Sequence, residues 1–492
     1  MQTNKIVGVI ELSSRYKYGF TSRGVPLYLF KPYDETEPDF IVGSSSKEIH
    51  YNQIGLIEVV SKPDPHTKKA KGNLLKLFGR VGDPAAEQAA LLQHYCPPLP
   101  KLKAQSQSQS QSQSQSQEET SDSRRVHLSA ETGWITFHID PPGCRDIDDA
   151  IGFYPATGTW AITIADAAAA VPIDSAIDLD AKAAGSTFYS LTGEALRPML
   201  PAAISQGSAS LLPGEKRRGL TLFIEPDGTD RFGLSWITVQ HSFTYESFVG
   251  SSLAKELGQG KEEGGESHAW IESFMIRYNR AAASVLKQAG LGLLRVLTTS
   301  DVNERLAAID PALGSVDGKG ASYEPVSGEG QSQSQSHKTL GLYCHASSPL
   351  RRYADLVNQR IIKQILAGTW QTLELDIADH LNRRMKAVKR FSRDLTFLHF
   401  VTPGKVHEVE VVWTTERTTE GTTEGTTERT TEKTTEKTTE KTTDTKVWVP
   451  TWKRTLRLRH EEFHEIGYRG RIKIYCDPMQ RSWKRRVLTA PL

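Results

Sequence analysis

Cysteine is scarce in this chain: four among 492 residues. Cys96, Cys144, Cys344 and Cys476 lie far apart and form no CxxC pair. This spacing argues against a disulfide framework and against a zinc site, and it favours a reducing compartment. Long apolar runs are missing too. None approaches the ~18 residues of a membrane span, and the N-terminus lacks the apolar core of a secretory leader. The expectation is a soluble, cytoplasmic protein without a membrane partner. Net charge is only +2, so any nucleic-acid site must come from local clustering of charge. Apolar residues are 38% of the chain, a fraction diluted by low-complexity segments. The length suggests roughly two to four domains.

Three of those segments stand out. Residues 105–117 are an uninterrupted Gln-Ser repeat, and residues 331–336 are a shorter copy. Residues 414–443 repeat TTE followed by Arg, Lys or Gly. None has the apolar content to bury a core, so disordered linkers or surface loops are expected.

Charge of one sign concentrates in residues 138–149, HIDPPGCRDIDD, which hold Asp140, Asp146, Asp148 and Asp149. The preceding residues, 134–139, alternate apolar and other side chains, predicting a β-strand that carries Asp140 at its end. Pro141, Pro142 and Gly143 must turn. The strand pattern resumes at 150–154, and PATGT reads as a hairpin turn before residues 160–166. The chain thus folds several acids towards one another. Like charges this close repel, and burying them costs free energy that a divalent cation offsets. An all-carboxylate set suits Mg²⁺ or Mn²⁺ rather than zinc. Mg²⁺ held this way leaves positions for water and phosphate, the arrangement of metal-assisted phosphodiester hydrolysis. The plainer alternatives are an acidic surface turn or a Ca²⁺ loop. EF-hand spacing fits poorly, with no Gly at the sixth loop position and no Glu at the twelfth.

HIDPPGCRDIDDAI resembles the signature of the RNB catalytic domain of ribonuclease II, ribonuclease R and the exosome catalytic subunit. A second run, YCHASSPLRRYADLVNQR at 343–360, is similar to that family's HFTSPIRRYADLxxHR. The resemblance implies an α+β fold. An RNB catalytic domain, a mixed sheet with packed helices, would be flanked by an N-terminal cold-shock-like and a C-terminal S1-like OB β-barrel. The expected division is 1–100, a linker at 101–125, the catalytic domain at 126–400 with the 331–336 insert, and 401–492 with an insert at 414–445. The implied activity is processive, metal-dependent 3′→5′ hydrolysis of single-stranded RNA to nucleoside 5′-monophosphates, by a monomer or within an RNA-decay complex. Asp140, Asp146 and Asp149 would bind Mg²⁺, with Mn²⁺ able to substitute. Asp148 would bind metal or orient the attacking water.

The resemblance assigns further residues. Tyr189 would stack on bases near the 3′ end, and such stacking is worth ~1–3 kcal/mol per base. Tyr245 would limit how far RNA is trimmed. Glu272 would sit by the terminal ribose, where a carboxylate can read the 2′-OH. Arg351 would meet the scissile phosphate, Arg352 a neighbouring phosphate or Asp355, and Arg360 matches another family arginine. Gln359 stands where the family has His, and the alanines 167–170 replace polar and aromatic residues.

Local reading adds expectations around these motifs. Ser348-Pro349 is predicted to start a helix, so that Arg351 and Arg352 occupy its first turn, with Leu350, Ala354, Val357 and Ile361 facing the core. The helix dipole disfavours cations there, so a phosphate held by the guanidinium and backbone N–H groups would explain them. Residues 268–279 read as a helix with Ile271, Phe274, Met275 and Tyr278 inward, and 382–394 as a basic helix. In the first 60 residues strands are expected at 5–12, 16–20, 26–30 and 55–60. Residues 62–95 resemble the family's connecting segment, with a helix starting at Asp83-Pro84 and a basic cluster at Lys68, Lys69, Lys71, Lys76 and Arg80. After 402, strands are expected at 406–413, 447–450 and 472–475. Residues 446–492 carry twelve Lys and Arg against four Asp and Glu, interleaved with Trp448, Trp452, Tyr468, Tyr475 and Trp483, a nucleic-acid-binding composition. Two rivals remain: a weak or inactive RNB homologue that binds RNA without cutting it, and a nuclease of the same chemistry that accepts DNA.

Overall fold

Alternation of apolar and polar residues builds most of the strands. In β2 (Leu27–Pro32), β3 (Phe40–Gly43) and β17 (Val406–Trp413), buried side chains recur at every second position over part or all of the strand, which is the pleat repeat. The structure is a computed structural model. It describes residues 5–97, 125–257, 266–298, 307–309, 313, 320–326, 341–369, 377–414, 445–458, 464–477 and 486–491. Residues 105–117, 331–336 and nearly all of the TTE repeat lie outside these. Among the described residues no helix is long and apolar enough to cross a membrane.

The chain divides into two compact units. The first joins residues 1–94, 299–320 and 394–492. Here β1 (Lys5–Ile10), β2, β3, β4 (Gln53–Ser61) and β5 (Ala70–Arg80) close a barrel in the order β1-β2-β3-β5-β4. Its core is Ile10, Tyr28, Phe30, Phe40, Val42 and Ile57. Two expectations change. Residues 16–20 form only a bridge from Phe20 to Pro26. Residues 70–80, read above as part of a connecting segment, are the longest strand of the barrel, so Lys71, Lys76 and Arg80 project from a strand. Helix α1 (Pro84–Tyr95) starts as expected, with the Asp83 carboxylate accepting from Ala86 N at 2.9 Å.

The same unit holds a five-stranded sheet ordered β19-β18-β17-β20-β21, from β17, β18 (Lys446–Val449), β19 (Arg454–Arg457), β20 (Arg469–Cys476) and β21 (Val487–Pro491). Trp448 and Trp452 are buried here. They are core, so of the aromatics in the nucleic-acid-binding composition noted above only Tyr468 and Tyr475 are exposed among the described residues, and Trp483 lies outside these. The Arg486 guanidinium is buried against Glu87 of α1 and the Val401 carbonyl.

The second unit, residues 95–298 and 321–393, is built on a seven-stranded sheet ordered β14-β7-β8-β9-β12-β13-β6. Its strands are β6 (Val126–Leu128), β7 (Ile135–Ile139), β8 (Asp149–Tyr154), β9 (Thr159–Ala165), β12 (Lys216–Ile224), β13 (Asp230–Thr238) and β14 (His241–Phe243). Two short pairs add β10 (Phe188–Tyr189) with β11 (Ala195–Arg197), and β15 (Leu293–Thr298) with β16 (Gly320–Pro325). Helices α2 (Ala167–Ala170), α3 (Ala176–Ala184), α4 (Tyr245–Val249), α5 (Ser252–Glu256), α6 (Glu266–Ala289) and α7 (Tyr353–Ala367) complete it, with residues 377–393 of α8 (Ile377–Phe400). Ile271 and Tyr278 of α6 are buried and Phe274 and Met275 are partly so, as the spacing predicts. Thr221 of β12 bonds Thr163 of β9 and Ser235 of β13 inside the sheet. Gly219 sits beside this polar ladder because a Cβ there would collide with Thr163 and approach Ser235 Oγ to 2.9 Å.

Candidate active site

The acidic loop is a connection between two antiparallel strands of the large sheet, β7 and β8. Asp140 ends the first, its backbone N bonded to Phe243 O of β14 at 3.1 Å. The turn passes through Gly143 at φ +79°, a left-handed conformation that glycine adopts without strain. Ser210 then pins the returning limb: its hydroxyl accepts from Ile147 N at 2.9 Å and donates to Arg145 O at 2.8 Å. Asp149 opens β8.

Each acid has a distinct environment. Asp140 faces His138 Nδ1 at 2.9 Å. Asp146 accepts from the Tyr189 hydroxyl at 3.0 Å, and the Cys144 thiol lies 3.5 Å from it. Asp148 is 3% exposed; its Oδ1 accepts from Leu350 N and its Oδ2 from Arg351 Nε, both at 2.9 Å. Among the described residues the Asp149 carboxylate accepts no hydrogen bond. Burial pushes Asp148 up to about 7, only partly offset by Arg351 and the Leu350 N–H. Burial, then the charges of Asp140 and Asp148, push Asp149 well above the usual carboxylate range. Burial and the nearby Asp140 and Asp146 raise the Cys144 thiol to about 12, so it stays protonated. The loop therefore holds more negative charge than its neighbours neutralise.

Arg351 answers part of that charge. Burial opposes its ionisation, but Asp148 outweighs it. Nη2 also donates to Ser348 Oγ at 3.1 Å. The side chain remains 46% exposed, so the guanidinium is anchored at one end and open at the other. The helix expected at Ser348-Pro349 begins instead at Tyr353, with Arg352 at its N-cap. Arg351 and Arg352 therefore precede the helix, and the Leu350 N–H is spent on Asp148 rather than left for a phosphate. The physical reason is Asp355, buried in the first turn of α7, which takes both Ser348 N and Arg352 Nη2 at 2.8 Å. Leu350, Ala354, Val357 and Ile361 are buried as expected.

The other assigned residues divide. Tyr245 begins α4 and stacks on His268 at 3.6 Å. Burial, and then the charges of Asp140 and Asp149, raise its hydroxyl. Glu272 is exposed on α6, one helical turn beyond His268. Arg360 is turned inward, donating to Asp178 at 2.8 Å and to Val171 O at 2.7 Å. Gln359 is buried, donating to Ala165 O and accepting from Ala168 N; it ties α7 to β9 and to α2.

Sequence reading passed over two residues that hold the site, and one bond made by a third. Asn279 bonds Tyr343 Oη, Ser347 Oγ and Ala346 N, fixing the segment that leads to Arg351. Its signal was a polar residue next to Tyr278 on the inward face of α6. Asp166 is fully buried between Arg125 and Lys363. The Tyr189 hydroxyl grips Asp146, a role additional to any stacking of its ring. A pocket of about 210 Å³ lined by His127, Lys216 and Trp236 holds none of the four acids.

The donor chemistry fits a hard divalent ion. Among the described residues no three His, Cys, Asp or Glu side chains are set to hold one ion, which excludes a preformed zinc-like cage there. Mg²⁺ needs only one or two carboxylates, with water and phosphate completing its shell. Asp149, without a hydrogen-bond donor and beside Asp140, is such a donor set.

Comparison with known proteins places this geometry. The RNB domain family model matches residues 129–262 and 252–368. The 3′-5′ exoribonuclease HELZ2 of Mus musculus is 36% identical over 121 residues, covering 23% of this chain and 4% of its own length. Ribonuclease R of Helicobacter pylori is 26% identical over 374 residues, covering 59% of this chain and 54% of its own. The chain thus spans about half, or far less, of these relatives. Among solved structures, Mycoplasma genitalium RNase R in complex with ribose methylated single-stranded RNA superposes with a TM-score of 0.62 at 17% identity, over 99% of this chain and 90% of that one. Yeast Ssd1, a pseudonuclease, superposes at 0.63 and 14% identity, over 98% of this chain and 67% of that one. With the acidic loop between β7 and β8 and Arg351 ahead of α7, the chain belongs to the RNB family.

Proposed function

We propose that this chain is a metal-dependent 3′→5′ exoribonuclease that hydrolyses single-stranded RNA processively to nucleoside 5′-monophosphates. The observation that carries the reading is the under-neutralised acidic loop beside a half-exposed arginine. Asp140 and Asp149 are the proposed direct ligands of Mg²⁺, for which Mn²⁺ substitutes; Asp146 and Asp148, bonded here to Tyr189 and Arg351, are proposed to join them as the ion binds. A bound divalent ion would activate water and steady the leaving oxygen. Asp148 keeps Arg351 oriented and is the acid nearest the reacting phosphate. The open end of Arg351 stabilises negative charge that develops there. Tyr189 and Tyr245 flank the acids and hold the last bases. Glu272 lies one helical turn beyond the His268 that supports Tyr245 and reads the 2′-OH, which disfavours DNA. Arg352 is committed to Asp355, and Arg360 to Asp178; they shape the site from behind. The proposed division keeps 126–400 as the catalytic domain, with 1–100 and 401–492 guiding RNA.

The second reading is a homologue that binds RNA without cutting it. The Asp148–Arg351 pair favours it, because both Asp148 oxygens are already bonded, to Leu350 N and to Arg351 Nε. Incubation of the purified chain with 5′-labelled single-stranded RNA separates the two. A ladder shortening from the 3′ end with Mg²⁺, and absent with EDTA, supports the nuclease. Intact RNA that is shifted on a gel in both tubes supports the binding protein.

A further inference from the structure

Away from the acidic loop the large sheet carries a cavity. The acids lie between β7 and β8, whereas this cavity of about 210 Å³ lies against β12, β13 and β6, towards the sheet's other edge. Three strand spacings of about 4.8 Å separate β8 from β13. Lys216 pairs with Thr238, Arg218 with Trp236, and Trp236 with His127, so these side chains share one face. The turn after β6 adds Glu131 as a wall.

Trp236 is half-buried and ringed by cations. Lys216 Nζ lies 4.8 Å from its ring, the Arg218 guanidinium 5.3 Å and the Arg125 guanidinium 5.7 Å. Arg125 is fixed by Asp166 and by the carbonyls of Gly219 and Ser235. Lys216, His127 and Glu131 are exposed, and among the described residues their side chains have no hydrogen-bond or ion-pair partner. An aromatic face, open donors and a carboxylate thus converge on one small space. That set suits a planar ring joined to an anion. A base stacks on an aromatic face whatever its identity. Lys216 and His127 supply donors for a phosphate, and Glu131 accepts from an exocyclic amine. Pockets for drug-sized ligands run to ~300–1,000 Å³. This smaller one admits a ring and leaves the phosphate at the rim, where Lys216 and His127 are exposed. The Glu131 carboxylate repels a further phosphate, which favours a single nucleotide over a strand.

We propose that this cavity binds a free nucleoside 5′-monophosphate, its base against Trp236 and its phosphate held by Lys216 and His127. Adenine, guanine and cytosine carry the amine that Glu131 accepts from; uracil does not. The site is separate from the acids, so the proposal stands whether or not the chain cleaves RNA. Where it does, its own product is the ligand.

The test is a calorimetric titration of the full chain with AMP in EDTA. The wild type should bind AMP saturably. Trp236→Leu and Lys216→Gln should each weaken binding about tenfold, and Trp236→Phe, which keeps a ring, should lose less. Adenosine should bind the wild type about tenfold more weakly than AMP does, and Lys216→Gln should nearly erase that difference, which places the phosphate on Lys216. UMP should bind more weakly than AMP. Arg351→Gln should bind AMP as the wild type does, which separates the cavity from the acidic loop. If Trp236→Leu does not fold, the exposed Lys216 carries the same comparison. No saturable binding by the wild type, equal affinity in every cavity variant, or a loss confined to Arg351→Gln would overturn the site. So would a single-stranded RNA whose affinity falls with Trp236→Leu as steeply as that of AMP, because the cavity would then hold a strand.

Discussion

Asp166 and Asp148 are buried carboxylates in the same sheet domain, with Asp149 half-buried next to the second, and the two sites are handled in opposite ways. Asp166 lies between Arg125 and Lys363 at 2.6 and 2.8 Å. Burial alone would raise it, yet the two cations outweigh burial and hold it at about 2. Asp148 has one arginine, half-exposed, and rises to about 7; Asp149 has no donor among the described residues and rises further. One site is complete as folded and ties strands to a helix. The other is short of positive charge and is stable only at some cost to the fold. Sites that trade stability for chemistry are arranged this way.

The comparison is tested first where the effect is largest. Asp148→Asn should keep RNA affinity while turnover with Mg²⁺ falls by several orders of magnitude; normal cleavage would show that Asp148 belongs with Asp166 as a strut. Asp166→Asn should destabilise the protein by about 3–5 kcal/mol, because it removes the buried charge that Arg125 and Lys363 share. Asp149→Asn should do the reverse, raising Tm in metal-free buffer and abolishing the Tm rise that Mg²⁺ gives the wild type. A denaturation series with and without Mg²⁺ reads both.

Acid should separate the two sites by sign. Asp148 has a folded value above its unfolded one, so its contribution is present below about 4 and is lost as pH rises through 7. Asp166 has a depressed value, so its contribution is present above about 4 and is lost as pH falls towards 2. Metal-free protein should therefore gain stability from pH 8 to 5, and Mg²⁺ should matter most at the alkaline end. Tyr189→Phe should have the smallest effect. The ring stays and only the bond to Asp146 goes, a loss of about 1 kcal/mol; KM for RNA should hold and kcat should fall a few-fold.

Much of this was legible without coordinates. Alternation and turn residues gave β7, the Pro-Pro-Gly turn, β8, the hairpin and β9, because each depends on neighbours a few residues away. The inward face of α6 followed from 3.6-residue spacing. The start of α7 did not, since Ser348-Pro349 has the local signature of a cap. The buried Asp355 captures Ser348 N and Arg352 instead, and the helix begins at Tyr353. Residues 70–80 were misread for a related reason: their lysines look like a solvated connector until barrel closure buries Ala70 and pairs the strand on both sides. Trp448 and Trp452 look like an RNA platform until the sheet packs over them.

The sequence by itself determined the acidic loop, its strand-turn-strand setting and the arginine motif that follows two hundred residues later, since these are written in contiguous residues. Tertiary structure decided which charges are answered. Asp148 meets Arg351 across 203 positions and Tyr189 meets Asp146 across 43. Asp166 finds Lys363 across 197, while Asp149 finds no donor among the described residues. Electrostatic compensation acts through space and depends on burial, so only the folded chain distinguishes a carboxylate that holds the protein together from one that awaits a cation.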